Sequence, residues 1–313
     1  MKIYLYLSFF RTFVLPMAQK GVRSRKTMRK TLLFALFGVL VLLASCQSKP
    51  QVGIQLYSVH QDSEDIASTL ERLSQIGYTT VETLNGGGNP NCFGLSAEEF
   101  KALCDKSSLT ITSTHAAIQR DPAAEAATMD KWRALFASLR EMGASYCVMP
   151  GYSFGNTLEE VKASCDYCNR VGALAAEYGL MLGYHNHAGD FVEVEGELLL
   201  DYVLAHTDAD KMFLQLDVHN MGGNDPMHYL THYPDRVKLL HLKDDRELGR
   251  SGKIDFEKIM KQYRANGYNE IYVEYELPFR IGDDEAENER NLKELWAGLK
   301  MCYDFVVEQG YAY

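Results

Sequence analysis

"GLMLGYHNHAGDF", residues 179–191, is the stretch on which the reading of this chain turns. A short apolar run, Leu180 to Tyr184, stops on His185, Asn186 and His187, with Asp190 three residues further on. One strand ending this way has simply reached its exit loop. Several strands ending this way make a site, so the rest of the chain has to be searched for the same pattern.

From residue 52 onward short apolar runs alternate with longer amphipathic ones. The predicted strands are Val52–Tyr57, Thr79–Leu84, Leu109–His115, Tyr146–Met149, Leu180–His185, Met212–Val218, Val237–Leu242 and Glu270–Tyr275. Helical periodicity fills the gaps: Glu64–Gln75, Ala97–Lys106, Ala124–Met142, Leu158–Tyr178, Leu198–His206, Phe256–Asn266 and Glu287–Val307. Ser96 with Glu99 and Thr157 with Glu160 have capping-box spacing. A strand–helix unit about every 30 residues predicts a single-domain α/β fold, a (β/α)8 TIM barrel over residues 52–313. The competing doubly wound sheet lacks its glycine-rich fingerprint after the first strand. Asn85-Gly-Gly-Gly-Asn89 follows the second strand instead and reads as a loop.

In such a barrel, chemistry collects where strands end. The first strand carries Gln55, the second Glu82, and the third ends on His115. The fifth ends on His185 with His187 close by, the sixth on Asp217, the seventh on His241 followed by Lys243, and the eighth on Glu274. Charged groups are costly inside a packed barrel unless paired or bound to a metal. His185, Asp217, His241 and Glu274 on four consecutive strands therefore form a candidate metal set. Its mixed oxygen and nitrogen donors suit Mn²⁺, Mg²⁺, Co²⁺ or Zn²⁺.

GIQLYS (53–58), GYTTVE (77–82), YHNH with DF (184–187, 190–191), LDV (216–218), HLKD (241–244), GKIDF (252–256) and YVEYE (272–276) resemble the sugar phosphate isomerase/epimerase superfamily. These are xylose isomerase-like TIM barrels, akin to inosose dehydratases and ketose 3-epimerases, and the resemblance runs through residues 52–309. It implies one divalent metal ion held by the last four strands, with Asp217, His241 and Glu274 carried over as ligands. The fourth ligand is usually a glutamate; counting from Gly179 places His185 there, which departs from the epimerase pattern and looks like the dehydratase branch. Asp190 lies where relatives often carry a glutamate, and competes with His185 for the fifth-strand role.

The implied chemistry is an isomerase, epimerase or lyase reaction at the carbon next to a carbonyl of a keto-sugar or oxidised glycoside. Glu274, His187 and His115 are candidate proton-transfer groups, and Lys243 is placed to stabilise negative charge. Gln55, Glu82, Asp190 and Arg246 are assigned to the substrate, the last in a basic loop shared with Arg250 and Lys253. The rival class is a sugar-binding lipoprotein that kept the barrel and lost turnover.

The N-terminus points to export. Residues 1–30 hold eight Lys/Arg and no acidic residue, and LLFALFGVLVLLA (32–44) is too short for a comfortable membrane span. Leu43-Ala-Ser-Cys46 fits a lipoprotein cleavage site, with Met28 as an alternative start and Cys46 as the lipidated residue. Residues 1–45 then form a signal peptide, 46–51 a tether, and the membrane is met only through the lipid, facing a bacterial periplasm. Removing that signal leaves 24 basic against 42 acidic residues, a formal charge of −18. So acidic a surface excludes nucleic acid as partner, and with it a phosphodiesterase acting on DNA. Cys165 and Cys168 share a helical stretch and read as helix-face thiols, since no second pair stands at zinc spacing.

Overall fold

The computed structural model describes residues 50–313; the expected signal peptide and Cys46 lie outside the described residues. Eight parallel strands close into a barrel: β1 (Gly53–Gln55), β2 (Thr80–Leu84), β3 (Thr110–His115), β4 (Tyr146–Pro150), β5 (Met181–His185), β6 (Met212–Asp217), β7 (Val237–Leu242) and β8 (Ile271–Val273), with β8 pairing back onto β1. A helix follows each strand: α1 (Ile66–Ile76), α2 (Ala97–Lys106), α3 (Glu125–Met142), α4 (Leu158–Glu177), α5 (Leu199–His206), α6 (Pro226–His232), α7 (Phe256–Ala265) and α8 (Glu285–Glu308). The TIM barrel expected from the alternation is therefore present. Among the described residues no helix is long and apolar enough to cross a membrane.

Strand alternation builds the barrel interior in layers. Low in the barrel, Val148, Phe213, Leu239 and Tyr272 form a small apolar cluster of their own. Two residues beyond Phe213, Leu239 and Tyr272 stand Gln215, His241 and Glu274, so these three strands turn from apolar to polar within one step of the period. Register fixes the cross-strand level: Glu82 lies beside Gln55 on one neighbour and Ser113 on the other, and Asp217 lies beside His241. Gly183 supplies the room that this layering needs, since a Cβ there would stand 2.5 Å from the Phe213 ring.

The larger apolar core lies between the barrel and its helices. At the start of α2, Ser96 Oγ accepts the Glu99 N–H while Glu99 accepts the Ser96 N–H at 2.8 Å, the reciprocal cap its spacing predicts. Thr157 caps α4 on one side only, because Glu160 turns to the Asn156 N–H instead. All six cysteines of the described residues are buried and free, with Cys165 and Cys168 on the inward face of α4. The helix α6 was not predicted. It has only seven residues, and it is nucleated by Asp225, which caps Met227, and by Pro226 in the first turn.

Candidate active site at the C-terminal mouth of the barrel

His185 at the end of β5, Asp217 at the end of β6 and Glu274 one residue past β8 offer ligand-capable atoms within 4.8 Å of one another. His115, His185 and His241 form a second such group that shares His185. The loop residues hold these groups in place. Asp217 Oδ1 accepts the backbone N–H groups of His219 and Asn220, and its Oδ2 accepts the Asn220 side chain at 2.6 Å. Asn186, the middle residue of HNH, is a strut between β5 and β6: its oxygen accepts the Asp217 N–H and its amide donates to the carbonyls of Asp217 and Asn220. His185 Nδ1 lies 3.1 Å from Gln215 Oε1, which turns its Nε2 toward Asp217. A ligand imidazole whose other nitrogen is engaged has a fixed ring and tautomer.

Beneath this group sits Glu82, fully enclosed and surrounded by donors. Its Oε1 accepts Gln55 Nε2 at 2.7 Å and His241 Nε2 at 2.6 Å, with His115 Nε2 at 3.1 Å. Its Oε2 accepts Ser113 Oγ at 2.5 Å and Gln215 Nε2 at 2.7 Å. With Nε2 committed to Glu82, His241 presents Nδ1 to Glu274 Oε2 at 2.7 Å. Lys243 Nζ then bridges Glu274, at 3.2 Å, and Glu276, at 2.6 Å.

Burial and pairing set the charge states. Burial alone would favour a neutral Glu82, but the His115 and His241 charges overcome it and hold the carboxyl well below its usual range. Burial likewise opposes a charged His241, and Glu82 and Glu274 outweigh it, pushing its pKa up to about 10. His185 is driven the other way by burial and by the neighbouring His241 and His115, so it stays neutral. Burial and the Glu274 charge raise the Asp217 carboxyl. Glu274 itself stays ionised against burial because His241 and Lys243 hold it.

This donor set fits a divalent cation. Two carboxylates and a neutral imidazole gather at the barrel mouth, and His241 presents Nδ1 to one of those carboxylates, Glu274, with another carboxylate behind its other nitrogen. His185, Asp217, His241 and Glu274 are the residues that would hold it. His185, and not Asp190, is the side chain that β5 brings to Asp217 and Glu274.

A cavity of about 540 Å³ opens above the group, lined among others by His115, His185, His187, Lys243, Glu274 and Glu276. The four residues assigned to the substrate from sequence are not on its wall. Gln55 and Glu82 are fully buried and bonded to each other. Asp190 curls back through a 3-10 turn to accept the His187 N–H at 2.6 Å. Arg246 points outward to Glu294 on α8. Conversely, Gln215, Asn220 and Glu276 belong to the site and were not assigned to it. The signal for Gln215 was a polar residue alternating with leucine in LQLD; Glu276 stood in plain view two residues beyond Glu274. Asn85-Gly-Gly, read as a loop, forms part of the cavity rim.

The fold and this site define a metal-ligand cluster at the mouth of a (β/α)8 barrel, and comparison with known proteins agrees with that class. The chain belongs to the xylose isomerase-like TIM barrel family, whose pattern matches residues 70–300, within the sugar phosphate isomerase/epimerase superfamily. It is 31% identical over 132 residues to an inosose dehydratase of Clostridium perfringens, covering 40% of this chain and 44% of that one. It is 36% identical over 142 residues to an inosose dehydratase of Geobacillus thermodenitrificans, covering 37% and 47%. The chain thus spans less than half the length of these curated relatives. A solved sugar phosphate isomerase/epimerase of Parabacteroides distasonis matches with a TM-score of 0.74 and 28% identity, over 84% of this chain and all of that one.

Proposed function

We propose that this chain is a metal-dependent enzyme acting at the carbon next to a carbonyl of a keto-sugar or oxidised glycoside, by isomerisation, epimerisation, dehydration or elimination. The observation that carries this is the convergence of His185, Asp217 and Glu274 within 4.8 Å, with His185 and Glu274 on the wall of a sugar-sized cavity. When bound, a divalent cation supplies Lewis acidity toward a carbonyl oxygen and its neighbour. The remaining work falls to the chain's own groups. His187 stands at the cavity rim, its backbone fixed by Asp190; although its outer edge meets solvent, desolvation lowers its pKa and leaves it a neutral proton acceptor. Lys243 is no base. Burial works against its charge, but Glu274 and Asp217 outweigh it and keep it an ammonium, suited to stabilising an oxygen that becomes negative. The similarity to inosose dehydratases supports removal of a proton beside a carbonyl as the shared step. On the basic start, the short apolar run and Cys46, we further read the protein as an exported lipoprotein, which favours unphosphorylated sugars.

The test is metal analysis of wild type and Asp217→Ala, with α-proton exchange of 3-keto-glucose followed in heavy water. Wild type should hold about one equivalent of metal and catalyse exchange, and the variant should lose both. Full metal occupancy with full activity in Asp217→Ala, or no exchange by the metal-loaded wild type, would overturn the reading.

A further inference from the structure

Beside the metal-site cavity lies a second, larger one of about 820 Å³, between the 3-10 turn Leu56–Asp62 and the segment that follows β8. Tyr57 and Glu276 line both cavities, so the two adjoin along a shared wall. The smaller space already accommodates one hexose ring, being within the range of small-molecule pockets. A free monosaccharide leaves the larger one without a role.

The walls of this annex have a particular chemistry. Tyr57 is 44% exposed, and its ring stacks on His60 with centroids 4.3 Å apart and planes 14° from parallel. His60 is itself pinned, its Nδ1 lying 2.5 Å from the Tyr57 carbonyl, which presents the tyrosine as a firm flat platform. Phe279 and Ile281 add apolar surface across the space, and Ile281 is one of the few large apolar side chains left exposed among the described residues, at 43%. The Ile281 N–H donates to Gln61 Oε1 and ties the far wall to the turn. Between these surfaces stand Gln61, Glu276 and Arg280, which offer both acceptors and donors. Sugars combine an apolar face that stacks on aromatic rings with a rim of hydroxyls needing mixed hydrogen-bond partners. A phosphate is disfavoured, because Glu276 shares the wall with the lone Arg280.

From this geometry we infer that the substrate is a disaccharide-type keto-glycoside: the keto ring occupies the metal-site cavity and a second hexose lies in the annex against Tyr57. The inference rests on the function proposed above, since it takes the first ring to be the reacting one. Glu276, tethered to Lys243, then stands beside the linkage between the two rings.

Calorimetric titration of the metal-loaded protein with 3-keto-glucose, and with α- and β-linked disaccharides carrying the same 3-keto ring, tests this directly. At least one disaccharide should bind ten-fold or more tightly than the monosaccharide, and that advantage should fall below three-fold in Tyr57→Ala and in Phe279→Ala. Equal affinities in wild type, no binding of any of these sugars, or an advantage retained in both variants would overturn the inference. Proton exchange measured on the same samples separates the two claims. A disaccharide preference without exchange removes the proposed reaction and leaves the second-ring subsite standing; exchange without preference does the reverse. Melting curves of both variants confirm that they fold, which the surface position of Tyr57 favours.

Discussion

Replacing Glu82 by glutamine removes one charge and keeps the shape, in a place where charge is what the surroundings require. The carboxylate accepts from Gln55, Ser113, Gln215 and His241, with His115 also within reach, and each of its oxygens meets more than one donor. An amide presents an NH₂ on one side, so at least one donor there is left facing another donor. Breaking one side of a buried ion pair costs about 3–5 kcal/mol. His241 can shed its proton once Glu82 is neutral, which limits the loss to the lower end, about 3 kcal/mol. For a domain of this size one kcal/mol moves the melting temperature by about 2–4 °C, so Glu82→Gln should melt about 6–12 °C below wild type in chelator. The same carboxylate fixes which nitrogen His241 turns toward Glu274, and loss of such a support lowers metal affinity about 10–100-fold. Melts followed by circular dichroism and competition against a chromogenic chelator measure the two effects. A melting temperature within about 2 °C of wild type, together with metal affinity within two-fold, would refute the view that Glu82 organises the site.

Two further outcomes follow from the same structure. His241 stays protonated in the fold up to about pH 10, against about 6.5 for an unfolded histidine; its contribution to stability is complete below 6.5 and is lost as pH rises through 10. The metal-free protein should therefore lose melting temperature steadily between pH 6.5 and 10, and saturating metal should flatten that slope; a flat profile without metal would count against the paired imidazolium. Gly53, the first residue of GIQLYS, closes the barrel: a Cβ there would meet the Ile271 carbonyl oxygen at 2.5 Å and the Tyr272 ring at 2.7 Å. Gly53→Ala should destabilise by about 1–3 kcal/mol, read from urea unfolding, and an unchanged midpoint would show that the β1–β8 seam tolerates strain.

What the sequence shows and what it hides divide along depth. Element identity was legible because the strands are short and apolar and the helices long and amphipathic, and because a closed parallel barrel is the economical way to bury eight such strands. The metal-ligand candidates were legible for a related reason: a charged residue at the end of an apolar strand has few places to go other than the mouth. The level of each residue within the mouth was not legible. Gln55 and Glu82 sit near strand ends just as Asp217 and Glu274 do, yet they are fully buried and bonded to each other, facing donors and not the cavity. Register depends on neighbours distant in the chain, and a list of strand ends carries no trace of it. Asp190 misled for a local reason: three residues after His187 is the spacing at which a 3-10 turn folds a carboxylate back onto a backbone N–H. Arg246 misled for a distant one, since its partner Glu294 lies 48 residues away on α8. The residues missed and the residues misplaced share one property: their role is decided by which polar group sits next to them. In a low-dielectric interior a polar group must find its partner close by. The pairings Glu82–His241, Gln215–His185 and Lys243–Glu276 therefore define the site as much as the ligand set does, and only the folded register brings them together.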